Sequence, residues 1–131
     1  MKNDVLELRQ EGIFCPAGDF FIDPWGKVER AIITHAHSDH GRPGHGSYLC
    51  SETCKNLLKI RIGGDALIES LPFGEKIKIG QAFVSFHPAG HILGSAQIRV
   101  EVNGQVWVVS GDYKPQADQT CEPFELSLIH I

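Results

Sequence analysis

The sequence lacks any apolar run near the roughly 20 residues that a bilayer-spanning helix needs, so no membrane segment is expected. Behind its first lysine, "MKNDVLELRQ" has no apolar core of the kind a secretory signal carries, and a cytoplasmic location is the default expectation. Cysteines are few. Cys15, Cys50, Cys54 and Cys121 are too sparse for a disulfide framework in a chain of 131 residues. Cys50 and Cys54 form a C-x3-C pair with no second pair at zinc-finger spacing, and free cysteine is commonly just a small buried residue. Positive charge is also short. A net charge of −4 argues against the broad basic surface of a nucleic-acid binder, so any case for a phosphate substrate must come from a local site. Internal repeats and low-complexity linkers are absent as well.

What is there is a globular composition, 42% hydrophobic and 21% charged, in a length that suits one modest domain or part of a larger one. The pattern is that of a β-rich mixed α/β (α+β) chain. "GIFCPAG" and "DFFIDPW" read as short strands, broken at Pro16 and Pro24. "RAIITH" carries an apolar run that suits a strand covered on both faces. "SYLC", "EKIKIG" and "AFVSFHP" predict three more strands, and Ser51 is placed to cap a helix through Cys54, Leu57, Leu58 and Arg61. Asn103-Gly104, between "AQIRVEV" and "QVWVVSGD", predicts a hairpin on a type I′ turn.

The chemistry gathers in "ITHAHSDHGRPGH", Ile33 to His45, with four histidines and an aspartate. In an extended segment His35 and His37 share a face and can meet one ion. Asp39 and His40 are adjacent, so a turn there aims both at a neighbouring position. Gly41, Pro43, Gly44 and Gly46 prevent a long helix. His91 follows Gly90 beyond the end of another strand, and Asp112 follows Gly111 at the end of "VWVVSGD". Three strand ends converging on one sheet edge would bring these nitrogen and carboxylate donors together, a donor set typical of zinc. A polar surface loop is the plain alternative, but chance rarely places H-x-H-x-D-H at this spacing. His45 and His87 fall outside the pattern and read as surface or supporting residues. Asp112, taken alone, would equally suit a turn.

"THAHSDH", "AGHILGSA" and "SGDYK" together resemble the metallo-β-lactamase fold in its β-CASP nuclease branch, nearest the bacterial ligase-associated DNA exonucleases. "CPAGDFFIDPW" and "CEPFE" extend the resemblance from Val5 to Glu125. It implies the N-terminal half of an αββα sandwich, β-rich with a few helices. It implies two divalent metal ions, zinc first and manganese as the alternative: His35, His37 and His91 would hold one, Asp39 and His40 the other, and Asp112 would bridge them. Asp39 would also hold the proton of the attacking water. Asp23 would support the ligand loop, unless it merely caps the turn at Pro24. Lys114, with Tyr113 beside it, would contact phosphate or stay solvated. The implied activity is metal-dependent phosphodiester hydrolysis by a DNA exonuclease of repair, with DNA (or RNA) as substrate and an ATP-dependent DNA ligase as functional partner. The alternatives are an RNA-processing β-CASP nuclease of the mRNA 3′-end kind, a small-molecule metallo-hydrolase, and a non-catalytic zinc-binding module.

By the same resemblance, residues 1–125 form an incomplete N-terminal part of the metallo-β-lactamase domain. The last six residues, "LSLIHI" at 126–131, read as a non-native tail, because a transposon-end sequencing adapter translates to them; a genuine apolar strand is the alternative. The family's second half, with a further histidine, the β-CASP motifs and a basic cleft, is not in this sequence. The fragment is therefore expected to bind one metal better than two, to be inactive as a nuclease, and to expose an apolar sheet face that lowers its solubility.

Overall fold

The short apolar runs of the sequence become strands in two sheets. The structure, a computed structural model, describes residues 4–36, 42–63, 65–89 and 96–110. In chain order the elements are β1 (Glu7–Arg9), β2 (Gly12–Cys15), β3 (Phe20–Ile22), β4 (Arg30–Ile32), β5 (Ser47–Ser51), α1 (Lys55–Ile62), β6 (Ile68–Leu71), β7 (Ile77–Ile79), β8 (Ala82–Pro88), β9 (Ala96–Val102) and β10 (Gln105–Ser110). The first sheet holds β1 to β6 in sequence order. Its first three strands form an antiparallel meander, and from β3 onward neighbours run parallel. Parallel neighbours need a crossover, which α1 supplies between β5 and β6. The second sheet is antiparallel throughout, in the order β10-β9-β8-β7.

Alternation decides what is buried. Val84 and Phe86 of β8, with Ile98 and Val100 of β9, face Cys15, Phe20, Ile22 and Ile32 of the first sheet to form the main core. The opposite face of the first sheet presents Ala31, Ile33, Tyr48, Cys50 and Ile68 to Cys54 and Leu58 at the helix. The layers therefore run helix, sheet, sheet. Each large apolar side chain fully removed from water in these layers contributes about 1.5–3 kcal/mol.

The hairpin between β9 and β10 turns as expected. Asn103 (φ 50°) and Gly104 (φ 80°) are both left-handed, the requirement of a type I′ turn, and Val102 pairs with Gln105 across it. Ser51 departs from expectation. It ends β5, and α1 starts later with Cys54 at its N-cap and no side-chain cap. The Ser51 hydroxyl instead accepts the Cys54 N–H at 3.2 Å, holding the turn before the helix. β1 and β6 went unpredicted because "ELR" and "IESL" carry no apolar run or alternation of their own.

Among the described residues there is one helix, where a few were expected, and no helix is long and apolar enough to cross a membrane. One face of the second sheet mixes the exposed Phe83 with polar side chains, of which Ser85 and Gln97 are buried. Register places Phe83 opposite Glu101, Ser85 opposite Arg99 and His87 opposite Gln97. Glu101 lies 2.8 Å from the Arg99 guanidinium and 3.2 Å from Lys76 Nζ, so charge pairing occupies the centre of that face.

Candidate metal centre

β3 and β4 are parallel neighbours, so their carboxyl ends lie side by side, the usual position of ligand sites in such sheets. Asp23 follows β3 directly, and Thr34 and His35 lie just past β4. Asp23 has a left-handed backbone (φ 45°), a conformation aspartate tolerates better than most residues. Its N–H donates to Ile32 O at 2.9 Å, while its Oδ1 accepts the Thr34 N–H at 2.8 Å. Its Oδ2 accepts the Thr34 hydroxyl at 2.6 Å, a length typical of O–H donation to an ionised carboxylate. Thr34 Oγ1 in turn lies 2.9 Å from His35 Nδ1. Thr34 and His35 are almost fully buried, 1% and 0% exposed. Two residues singled out from sequence, Asp23 and His35, are thus joined through a third, Thr34, which was not. Its signal was available: a polar residue ending an apolar strand run must find partners inside.

The segments that carry the other candidate ligands of the sequence leave the described structure at the same edge. Ala96, the first residue of β9, donates its N–H to Thr34 O at 2.8 Å. Ala96 also pairs with Pro88 at the end of β8, and Gln97 pairs with Ser110 at the end of β10. His91 falls in the sequence between Pro88 and Ala96, Asp112 two positions past Ser110, and His37, Asp39 and His40 within five positions of His35. These five residues, with Tyr113, Lys114 and the 126–131 tail, lie outside the described residues. Among the described residues no three His, Cys, Asp or Glu side chains gather as a ligand set.

Beyond the histidine segment the chain is tied down again. Tyr48 donates its hydroxyl to Arg42 O at 2.6 Å and accepts the His45 N–H at 3.2 Å. His45 Nδ1 accepts the Val28 N–H at 3.1 Å. An accepting Nδ1 puts the neutral ring's proton on Nε2, which is buried without a hydrogen-bond partner among the described residues. Burial, then the charge of Arg42, holds this imidazole below the usual histidine range. His45 therefore supports the loop, in line with its place outside the ligand spacing. His87 Nε2 lies 2.9 Å from Ser85 Oγ. Cys50 and Cys54 are both fully buried, and the contact with Cys54, followed by burial, pushes the Cys50 thiol far up. Both sit in the apolar cluster beside the helix, the usual setting of small buried cysteines.

A divalent ion would fit at His35, the one candidate ligand of the set that lies among the described residues. Thr34 engages Nδ1 of His35, which makes Nε2 the ring nitrogen a metal would take, and a second partner on the far nitrogen is the usual support of a ligating histidine.

No protein-family model matches the chain. It is 33% identical over 115 residues to a protein named "Probable DNA ligase" from Opitutus terrae, a match covering 86% of this chain and 11% of that protein. It is 27% identical over 163 aligned positions to "Endoribonuclease YSH1" of Mycosarcoma maydis, covering 88% of this chain and 18% of the relative. The chain thus spans less than a fifth of either curated relative. Among solved structures, a metallo-β-lactamase HARLDQ-motif mutant from Cronobacter sakazakii superposes with a TM-score of 0.58 at 11% identity, covering 73% of this chain and 54% of that one. With its strand-rich sheets and single flanking helix, the described chain has the metallo-β-lactamase fold, of which it forms one part.

Proposed function

We propose that this chain is the N-terminal part, residues 1–125, of a metal-dependent phosphodiester hydrolase of the β-CASP branch, a DNA exonuclease working alongside a DNA ligase in repair. Residues 126–131 form no part of it, and the reading includes a cytoplasmic location. His35, His37 and His91 would hold one ion, Asp39 and His40 a second, and Asp112 would serve both. When bound, such a pair, zinc first and manganese second, acidifies water and neutralises charge on phosphoryl oxygens. The chain's own residues do the rest. Asp39 holds the proton of the attacking water, Thr34 and Asp23 orient His35, and Lys114 meets phosphate. Local metal charge also reconciles a phosphate substrate with a net charge of −4.

The observation that carries this reading is the shared edge at which β4, β8 and β10 end and β9 begins, with buried His35 next to Thr34, whose carbonyl binds the first residue of β9. The 33% identity to a ligase-named protein favours DNA. RNA is the second reading, favoured by the likeness to a protein named as an endoribonuclease. The test uses the complete gene product on end-labelled DNA and RNA with zinc or manganese. His37→Ala and Asp112→Ala should each reduce cleavage at least about a thousandfold with the fold unchanged, the loss expected when a group acting on the transition state is removed. Full cleavage by either variant refutes the assignment, and the preferred substrate separates the two readings.

A further inference from the structure

The contacts around Thr34 allow a proton count. Its hydroxyl carries one hydrogen, and that hydrogen goes to Asp23 Oδ2 at 2.6 Å. Asp23 acts as an acceptor on both oxygens, since Oδ1 takes the Thr34 N–H. Thr34 Oγ1 therefore has only lone pairs to offer His35 Nδ1, 2.9 Å away, and the hydrogen in that contact has to belong to the ring. Neutral imidazole in water favours the other tautomer, with hydrogen on Nε2.

We propose that Thr34 is a positioning residue that sets the tautomer of His35: by passing its own proton to Asp23 it fixes the hydrogen of the ring on Nδ1 and keeps the Nε2 lone pair for a metal ion. The proposal rests on the reading of His35 as a ligand, which the sequence pattern supplies. It goes beyond that reading in assigning the work to a hydroxyl and in giving the chain of hydrogen bonds a direction. No covalent step is involved; one neutral ring form replaces another.

The direction can be reversed by one substitution. Asp23→Asn keeps a side chain of the same shape that tolerates a left-handed backbone. Its carbonyl can still take the Thr34 N–H, but its amide then donates to Thr34 Oγ1. The threonine hydrogen is released toward His35 Nδ1, and the ring must move its own hydrogen to Nε2. Thr34→Val removes the relay altogether, whereas Thr34→Ser retains it.

The experiment reads the ring nitrogens of His35 in long-range 1H–15N correlation spectra of the full, metal-free chain at pH 8, then measures zinc affinity by chelator competition. In the unsubstituted chain Nδ1 should carry the hydrogen. Asp23→Asn and Thr34→Val should shift it toward Nε2 and weaken zinc binding about 10- to 100-fold, the usual effect of losing a partner behind a ligating histidine. Thr34→Ser should restore both readouts, which a purely structural role for the threonine methyl would not do. Hydrogen on Nε2 in the unsubstituted chain overturns the proposal, as does zinc affinity unchanged in both variants. If Thr34→Val fails to fold, Asp23→Asn and the unsubstituted chain still decide it. If the unsubstituted chain binds no zinc, the metal reading falls, while the tautomer alone settles whether the relay exists.

Discussion

Tyr48→Phe isolates how much the tether beyond the histidine segment contributes. Tyr48 is 3% exposed, and its ring packs with Ala31, Ile33 and Leu58 in the layer between sheet and helix. Phenylalanine keeps that packing, so the change removes only the hydroxyl. Two hydrogen bonds go with it, the donation to Arg42 O at 2.6 Å and the acceptance from His45 N at 3.2 Å. A neutral hydrogen bond is worth about 0.5–1.5 kcal/mol net, and the longer one belongs at the low end. The expected loss is about 1–2.5 kcal/mol. Urea denaturation at pH 7, with an m-value near 1.5 kcal/mol per M, should then show a midpoint lower by about 0.7–1.7 M and an unchanged slope. The ring contact with His45, centroids 5.2 Å apart, survives the change, so near-ultraviolet dichroism should hold except for the lost tyrosine signal. A midpoint within about 0.2 M of the parent would refute the reasoning, showing that water replaces both bonds at no cost.

Leu58→Ala should cost about 2–5 kcal/mol, because Leu58 is the buried residue of α1 and the helix has no side-chain cap to hold it otherwise. Amide exchange concentrated in Lys55–Ile62 would show the helix undocking first; uniform exchange across the chain would contradict that. Stability should also fall on acidification through His45. Its folded pKa is lowered, so the neutral ring stabilises the fold above about pH 6.5, and that contribution is lost as pH falls through the folded value and the protonated ring can no longer accept the Val28 N–H. His45→Asn should flatten the stability–pH profile between pH 7 and 5, and identical slopes in parent and variant would rule this out.

Much of the strand pattern was legible because burial imposes a period. "AFVSFHP" and "AQIRVEV" could be read as strands from their β-rich apolar runs, and Asn103-Gly104 announced its own turn. β1 and β6 were not legible, since pairing with a neighbour makes them strands and no local pattern does. The helix start was misplaced for a related reason. Serine favours the turn before a helix as well as its cap, and the Cys54 N–H at 3.2 Å shows which role Ser51 takes. The candidate centre was visible as a spacing of ligand types, and Asp23 as an aspartate before proline. Thr34 was legible only as a polar residue ending an apolar run that must find partners inside; the direction of its hydrogen is something residue type alone does not express. The charge pairing on the second sheet likewise joins Arg99 and Glu101, two positions apart on β9, with Lys76 from just before β7, a grouping that residue type alone does not express.

The bond from Ala96 to Thr34 has a mechanical consequence. Thr34 is held by its amide and hydroxyl to the end of the first sheet and by its carbonyl to the start of β9 in the second. One residue therefore works as a rivet through both layers. Sliding one sheet against the other would strain this point first, because densely packed layers transmit displacement instead of absorbing it. The apolar core between the sheets resists the same sliding over a broad area, while this residue adds a directional, hydrogen-bonded tie beside His35.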